Sequence, residues 1–141
     1  MGLLAKLFKK SPKRNKEEGT ALERYIKSFL HAIDGFLYCL RYEHNMIIIL
    51  TATIVVTIAG FYFQISGFEW LFTVGICGAI SACEMINSSI EATIDLCTQD
   101  IHPLAKIAKD TASAATLILV VTSLVGAFII FLPKILSSIG V

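Results

Sequence analysis

Between Met46 and Phe68 the sequence carries no charged residue, and this run restricts the fold more than any other feature of the chain. As a helix rising about 1.5 Å per residue it is long enough to cross roughly 30 Å of hydrocarbon. Lipid offers no partner to backbone N–H and C=O groups, so a spanning segment must satisfy them internally, as a helix does. Two more apolar stretches follow, Trp70 to about Ile90 and Thr111 to Pro133. With hydrophobic residues at 55% of the 141, an ordinary soluble domain is excluded. The expectation is an all-α integral membrane protein with spans at about 46–66, 70–92 and 108–132.

The charges sit unevenly. Nine of the twelve Lys and Arg precede residue 42, while the turn from Gln64 to Glu69 has none, so the N-terminus is expected in the cytoplasm and the C-terminus outside. Residues 1–20 read as a basic flexible leader with Pro12 and Gly19, suited to loose adsorption on anionic head groups. The leader has no aromatic interleaving beyond Phe8 and precedes no folded reader, so no nucleic-acid partner is expected. From Leu22 to Leu40 apolar residues recur at steps of three and four, opposite Glu23, Arg24, Lys27, His31, Asp34 and Arg41. That pattern predicts an amphipathic surface helix over 21–42, the remainder to 141 forming a single membrane domain with it. Cys39, Cys77, Cys83 and Cys97 show no metal-binding or disulfide spacing and read as small apolar residues.

The second apolar stretch ends in polar residues. Glu84, Asn87, Glu91 and Asp95 fall at offsets of +3, +7 and +11, which at 100° per residue share one narrow helical face bordered by Ser88. Ile86, Ile90, Thr93 and Ile94 occupy the other side. A carboxylate near the bilayer centre costs roughly 2.5–3.5 kcal/mol even on lenient scales, so this face needs compensation by a cation or by a basic residue of a neighbouring helix. Glu43, at the rim of the first span, is expected near the depth of Glu91, where the two can share one ion. Gly75, Gly78, Ala79 and Ala82 form a small-residue stripe suited to close helix packing or oligomerisation.

The return from Asp95 to Asp110 contains Asp100, His102, Pro103, Lys106 and Lys109. Pro103 suits the first turn of a new helix, on which Lys106 and Asp110 would face each other at i, i+4. Neither GxxxxGK[ST] nor GxGxxG occurs, so a phosphate site must be built from other parts. Carboxylates with phosphate oxygens suit Mg²⁺, a lysine supplies a point charge for phosphate, and a spare carboxylate can take a hydroxyl proton.

Glu84-Met-Ile-Asn87-Ser-Ser-Ile-Glu91-Ala-Thr-Ile-Asp95 closely resembles the signature E-x-x-N-[ST]-x-I-E-x-x-x-D of the prokaryotic diacylglycerol kinases, and Ala108-Lys109-Asp110 matches its A-K-D. The likeness runs from Arg24, through Lys27, Gly35 and Glu43, to about residue 134. His102 to Lys106 and Phe131 to Lys134 look like the Gram-positive branch, whose members are mainly undecaprenol kinases.

The resemblance implies a homotrimer of three-span chains in the bacterial cell membrane, transferring the γ-phosphate of MgATP to a lipid alcohol. Carried over, Glu84 is the general base, while Glu43 and Glu91 hold Mg²⁺ and nucleotide. Asn87, Lys109 and Asp110 contact ATP, joined by Arg24, His31, Asp100 and His102, with Asp95 and Lys27 in support. Relatives commonly read E-R-N where this chain has Glu43-His44-Asn45, so a basic contact at residue 44 would depend on protonation of His44. Undecaprenol is the expected acceptor and diacylglycerol the alternative. A small oligomeric cation transporter or channel, with Glu84 and Glu91 in a ring, is a different class; three spans give it no inverted repeat.

Overall fold

The computed structural model describes residues 20–98 and 100–140. The expected basic leader therefore lies outside the described residues, apart from Thr20. Four helices make up the described chain: α1 (Ala21–Tyr42), α2 (His44–Tyr62), α3 (Gly67–Cys97) and α4 (Pro103–Ser138). The last three are long and apolar enough to cross a membrane. Compact packing divides the chain at Gly35, with the second unit running from Phe36 onward.

In the N-terminal unit, α1 starts on a reciprocal cap. The Glu23 N–H donates to Thr20 Oγ1 at 3.3 Å, and the Thr20 N–H donates to Glu23 Oε2 at 2.7 Å. Each of these pairs satisfies a backbone N–H that the helix start leaves without an intrahelical partner. Leu22, Tyr25, Phe29 and Leu30 lie exposed along this part of α1.

In the second unit, α2 begins after Glu43 and stops at Tyr62, short of the limit expected for the first span. The Phe63 N–H closes onto the carbonyl of Ala59, and Gln64 then turns into the left-handed region with φ of 50°. Ser66 opens α3 with a second reciprocal cap: Glu69 N–H to Ser66 Oγ at 3.3 Å, and Ser66 N–H to Glu69 Oε2 at 2.6 Å. Pro103 occupies the first turn of α4, where its missing N–H costs nothing, and the Nδ1 of His102 accepts from the Leu104 N–H at 3.2 Å. The helix then continues past the expected end of the third span, through Pro133 to Ser138.

α3 packs against both α2 and α4. The Phe72 ring lies on Gly126 so closely that a Cβ there would overlap it. At the α2–α3 turn the Trp70 ring covers Gly60 in the same way, at 2.8 Å from a Cβ position. Lys134 reaches Glu69 at 3.3 Å and ties the C-terminal part of α4 to the start of α3. Within the small-residue stripe, a Cβ at Gly75 or Gly78 would meet nothing within 4 Å among the described residues.

The buried set is unlike that of a water-soluble domain. Beside Cys39, Met46, Ile65, Ile80 and Ile130 it includes Thr73, Glu84, Asn87, Ser88 and Thr116, while large apolar side chains face outward on all three long helices. An apolar exterior is what a hydrocarbon solvent favours, and it leaves the interior for polar groups.

Candidate active site

The polar face of α3 turns inward as its spacing predicts, and its burial falls steadily toward the C-terminal end. Glu84 is 3% exposed and Asn87 6%, Glu91 is half-buried, and the Asp95 side chain is 58% exposed. This gradient runs from an apolar interior to a polar exit within three turns of one helix.

Contacts along the face are local. Asn87 Nδ2 donates to Glu91 Oε1 at 3.1 Å, holding that carboxylate beside the amide and leaving Asn87 Oδ1 buried with no partner among the described residues. The Ser88 hydroxyl donates to the Glu84 backbone carbonyl at 3.1 Å. The Glu84 carboxylate itself makes no hydrogen bond or ion pair among the described residues. It lines a cavity of about 230 Å³ with Asn45, Ile48 and Ile49 of α2 and with Ser113, Thr116, Leu117 and Val120 of α4. A second cavity of about 260 Å³ shares Ile48, Ile49 and Val120 with the first and is otherwise almost wholly apolar.

At the end of α1, Cys39 is buried within electrostatic reach of Glu43 and Glu84. Burial, then these two carboxylates, push its thiol above the ordinary range, against a smaller opposing effect of the Ser88 hydroxyl. Glu43 stands at the N-cap of α2 with its side chain in no cap bond, so its carboxylate stays available. Glu43 is expected to act beside Glu91; what the structure shows is that Glu43 and Glu84 both act on Cys39.

At the exit, Lys109 of α4 donates to Asp95 of α3, a pairing that the local sequence pattern did not reveal. Lys106 and Asp110 do form the expected i, i+4 pair, at 2.7 Å, and the Asp110 carboxylate raises the Lys106 ammonium above its ordinary range. Asp110 is thus held by Lys106 and Lys109 by Asp95. His102 caps α4, and the Asp100 N–H donates to Thr98 Oγ1 at 3.1 Å. Arg24, Lys27 and His31 belong to the N-terminal unit, where each is exposed and none forms an ion pair among the described residues. Two residues had no sequence signal: Thr116, one polar side chain in an apolar run, and Cys39, which reads with the other cysteines as a small apolar residue.

The donor set fits a hard cation only in part. No cluster of three or more His, Cys, Asp or Glu suited to a metal occurs among the described residues. Mg²⁺ commonly takes only one or two carboxylates and completes its shell with phosphate oxygens and water, so single carboxylates such as Glu43 and Glu91 remain compatible with it.

Three apolar helices with a buried, partly unpaired carboxylate face define a multi-pass membrane protein whose polar site is built into its helical bundle. The chain belongs to the family described as prokaryotic diacylglycerol kinase, whose profile matches residues 30–131. It is 38% identical to the undecaprenol kinase of Bacillus subtilis (strain 168) over 120 residues, covering 85% of this chain and 98% of that protein. It is also 32% identical to the diacylglycerol kinase of Pseudomonas aeruginosa, over 68% of this chain and 78% of the relative. For the diacylglycerol kinase of Helicobacter pylori (strain ATCC 700392 / 26695) the identity is 37%, over 68% and 75%.

Proposed function

We propose that this protein is an ATP-dependent lipid kinase whose preferred acceptor is undecaprenol, giving undecaprenyl phosphate. One observation carries the reading above all: Glu84 is a buried carboxylate with no hydrogen-bond or ion-pair partner among the described residues, on the wall of a cavity that shares Ile48, Ile49 and Val120 with an apolar one. A soluble substrate needs no such surroundings, whereas a lipid alcohol brings one hydroxyl and a long apolar tail. The likeness to the undecaprenol kinase over nearly its whole length supports the choice of acceptor. The likeness to diacylglycerol kinases keeps diacylglycerol as the second reading.

In this mechanism the hydroxyl of the lipid donates its proton to a Glu84 carboxylate oxygen as its own oxygen attacks the γ-phosphorus. The new O–P bond takes a lone pair of that oxygen, and the bond between the γ-phosphorus and the bridging oxygen breaks with its electrons leaving on ADP. Glu91, held by Asn87, and Glu43 would bind Mg²⁺, which supplies charge neutralisation at the phosphates. Lys109, released from Asp95 or shared with it, offers the nucleotide a point charge, with Asp110 beside Lys106 at the same mouth. Arg24, His31, Asp100 and His102 complete the nucleotide contacts in this reading, with Lys27 and Asp95 supporting them.

The excess of Lys and Arg before residue 42 orients the chain with its N-terminus in the cytoplasm and C-terminus outside, which brings the site to the side where ATP is found. The unused faces of Gly75 and Gly78 leave room for a second copy, in keeping with a homotrimer. The deciding experiment supplies purified protein in mixed micelles with MgATP and either undecaprenol or diacylglycerol. Phosphorylation of undecaprenol with the higher kcat/KM supports the reading. A clear preference for diacylglycerol selects the second, and no alcohol-dependent phosphorylation of either rejects both.

A further inference from the structure

Eight threonines stand inside α2, α3 and α4. Seven of them, from Thr51 to Thr122, donate their hydroxyl to the backbone carbonyl four residues earlier, at 2.7–2.9 Å. This is the ordinary resting place for a threonine in an apolar helix, because it satisfies the hydroxyl without water. Thr116 is the exception: it is 8% exposed, and its Oγ1 is buried with no hydrogen-bond partner among the described residues. Burying a hydroxyl unpaired is unfavourable, and the remedy that its seven counterparts use is not taken.

What Thr116 faces explains the exception. Lys109 opposite Asp95 and Lys134 opposite Glu69 set an antiparallel register for α3 and α4 in which Thr116 stands level with Asn87 and Ser88. It lines the same cavity of about 230 Å³ as Glu84, whose carboxylate is likewise unpaired. One wall thus offers an acceptor and the other a hydroxyl that can donate. Ile48, Ile49, Leu117 and Val120 supply apolar surface beside them and Asn45 and Ser113 are uncharged, so the lining offers no positive charge to a phosphate. A neutral O–H group satisfies both walls, and an alcohol is the one that also suits the apolar surface, donating its hydrogen to a carboxylate and accepting at its oxygen.

We propose that Thr116 is the binding residue for the acceptor alcohol. Its Oγ1–H donates to the oxygen of the lipid hydroxyl and turns that hydroxyl's hydrogen toward Glu84. The second lone pair is left for phosphorus, and Thr116 gains and loses no proton in the transfer. This inference rests on the lipid-kinase reading and adds to it the group that selects and orients the alcohol.

The test compares T116V, which exchanges the hydroxyl for a methyl of like size, with T116S, which keeps it. Initial rates are measured in mixed micelles against undecaprenol and MgATP separately, with the melting midpoint in the same detergent. For T116V the KM for the alcohol should rise about three- to tenfold, as loss of one neutral hydrogen bond implies, with KM for MgATP unchanged. T116S should stay near wild type. The melting midpoint of T116V should hold or rise, because an unpaired buried hydroxyl has been removed. An unaltered alcohol KM in T116V overturns the proposal, as does a matching rise in KM for MgATP or a lowered melting midpoint, which would make the hydroxyl structural. Wild-type protein that phosphorylates no alcohol would instead defeat the underlying reading.

Discussion

α3 carries two glutamates in opposite conditions. Glu69, in its first turn, accepts from the Ser66 N–H, is tied to Lys134, and has its carboxyl held below the ordinary range chiefly by the backbone and side-chain hydrogen bonds of Ser66. Glu84, four turns later, is buried at 3% exposure and has neither hydrogen bond nor ion pair among the described residues. One helix therefore has a satisfied end that fixes the fold and an unsatisfied middle that gives up stability. Burying a carboxyl group without a partner is unfavourable, so the middle of this helix is where a further group has something to complete. The same contrast separates the seven bonded threonines from Thr116.

The contrast breaks most visibly at Glu84. Glu84→Gln should lower kcat about 10²–10⁴-fold, the usual contribution of base catalysis, while KM for MgATP stays near wild type and the melting midpoint does not fall. A near-normal kcat in a correctly assembled variant would move the base elsewhere, and Asp95 is then the next residue to test. A smaller effect is expected one step toward the exit. Glu91→Gln and Glu43→Gln should each raise the Mg²⁺ concentration needed for half-maximal rate, by about an order of magnitude for a lost carboxylate ligand. A Mg²⁺ titration unchanged in both variants would remove them from the metal.

At the satisfied end the expected loss is in stability, with kcat untouched. Ser66→Ala removes a cap and should cost about 0.5–2 kcal/mol. Glu69 adds a pH signature. Its folded pKa lies below its unfolded value, so its contribution is present above the unfolded carboxylate range and is lost as pH falls through the folded value. The gap in melting midpoint between wild type and Glu69→Gln should accordingly be widest near neutrality and close in acid. A constant gap would show that the cap acts through shape alone. The smallest effect belongs to the turn before it: Gln64 sits at φ 50°, and Gln64→Gly should stabilise by up to about 1 kcal/mol by relieving the left-handed backbone. Thermal unfolding in detergent reads that gain directly.

The sequence discloses the parts of this arrangement that repeat with the helix. The apolar period gives α1 over 21–42, the offsets of Glu84, Asn87 and Glu91 put them on one inward face, and Lys106 meets Asp110 as i, i+4 spacing requires. It does not disclose what depends on hairpin register. Lys109 with Asp95 and Lys134 with Glu69 join residues on different helices, and no local period foretells which rung of α4 meets which rung of α3. Thr116 escaped notice for the same reason, because a single threonine in an apolar run matters only once the opposite wall is known. The two caps are a different case: Thr20-x-x-Glu23 and Ser66-x-x-Glu69 are both written in the sequence, and neither stands out there because each lies in a stretch that also suits a polar turn.

Cys39 turns this site into its own voltmeter. A thiol reacts with alkylating reagents as thiolate, and burial first, then the charges of Glu43 and Glu84, hold Cys39 back from that form, so a change in its rate at fixed pH between otherwise like proteins reports a change in those charges. Neutralising Glu84 as Gln should lift part of that suppression and speed alkylation, and so should any bound cation that offsets the carboxylates. The charge state of the cleft around Glu84 can then be followed in resting protein, with no turnover and no added probe beyond the reagent.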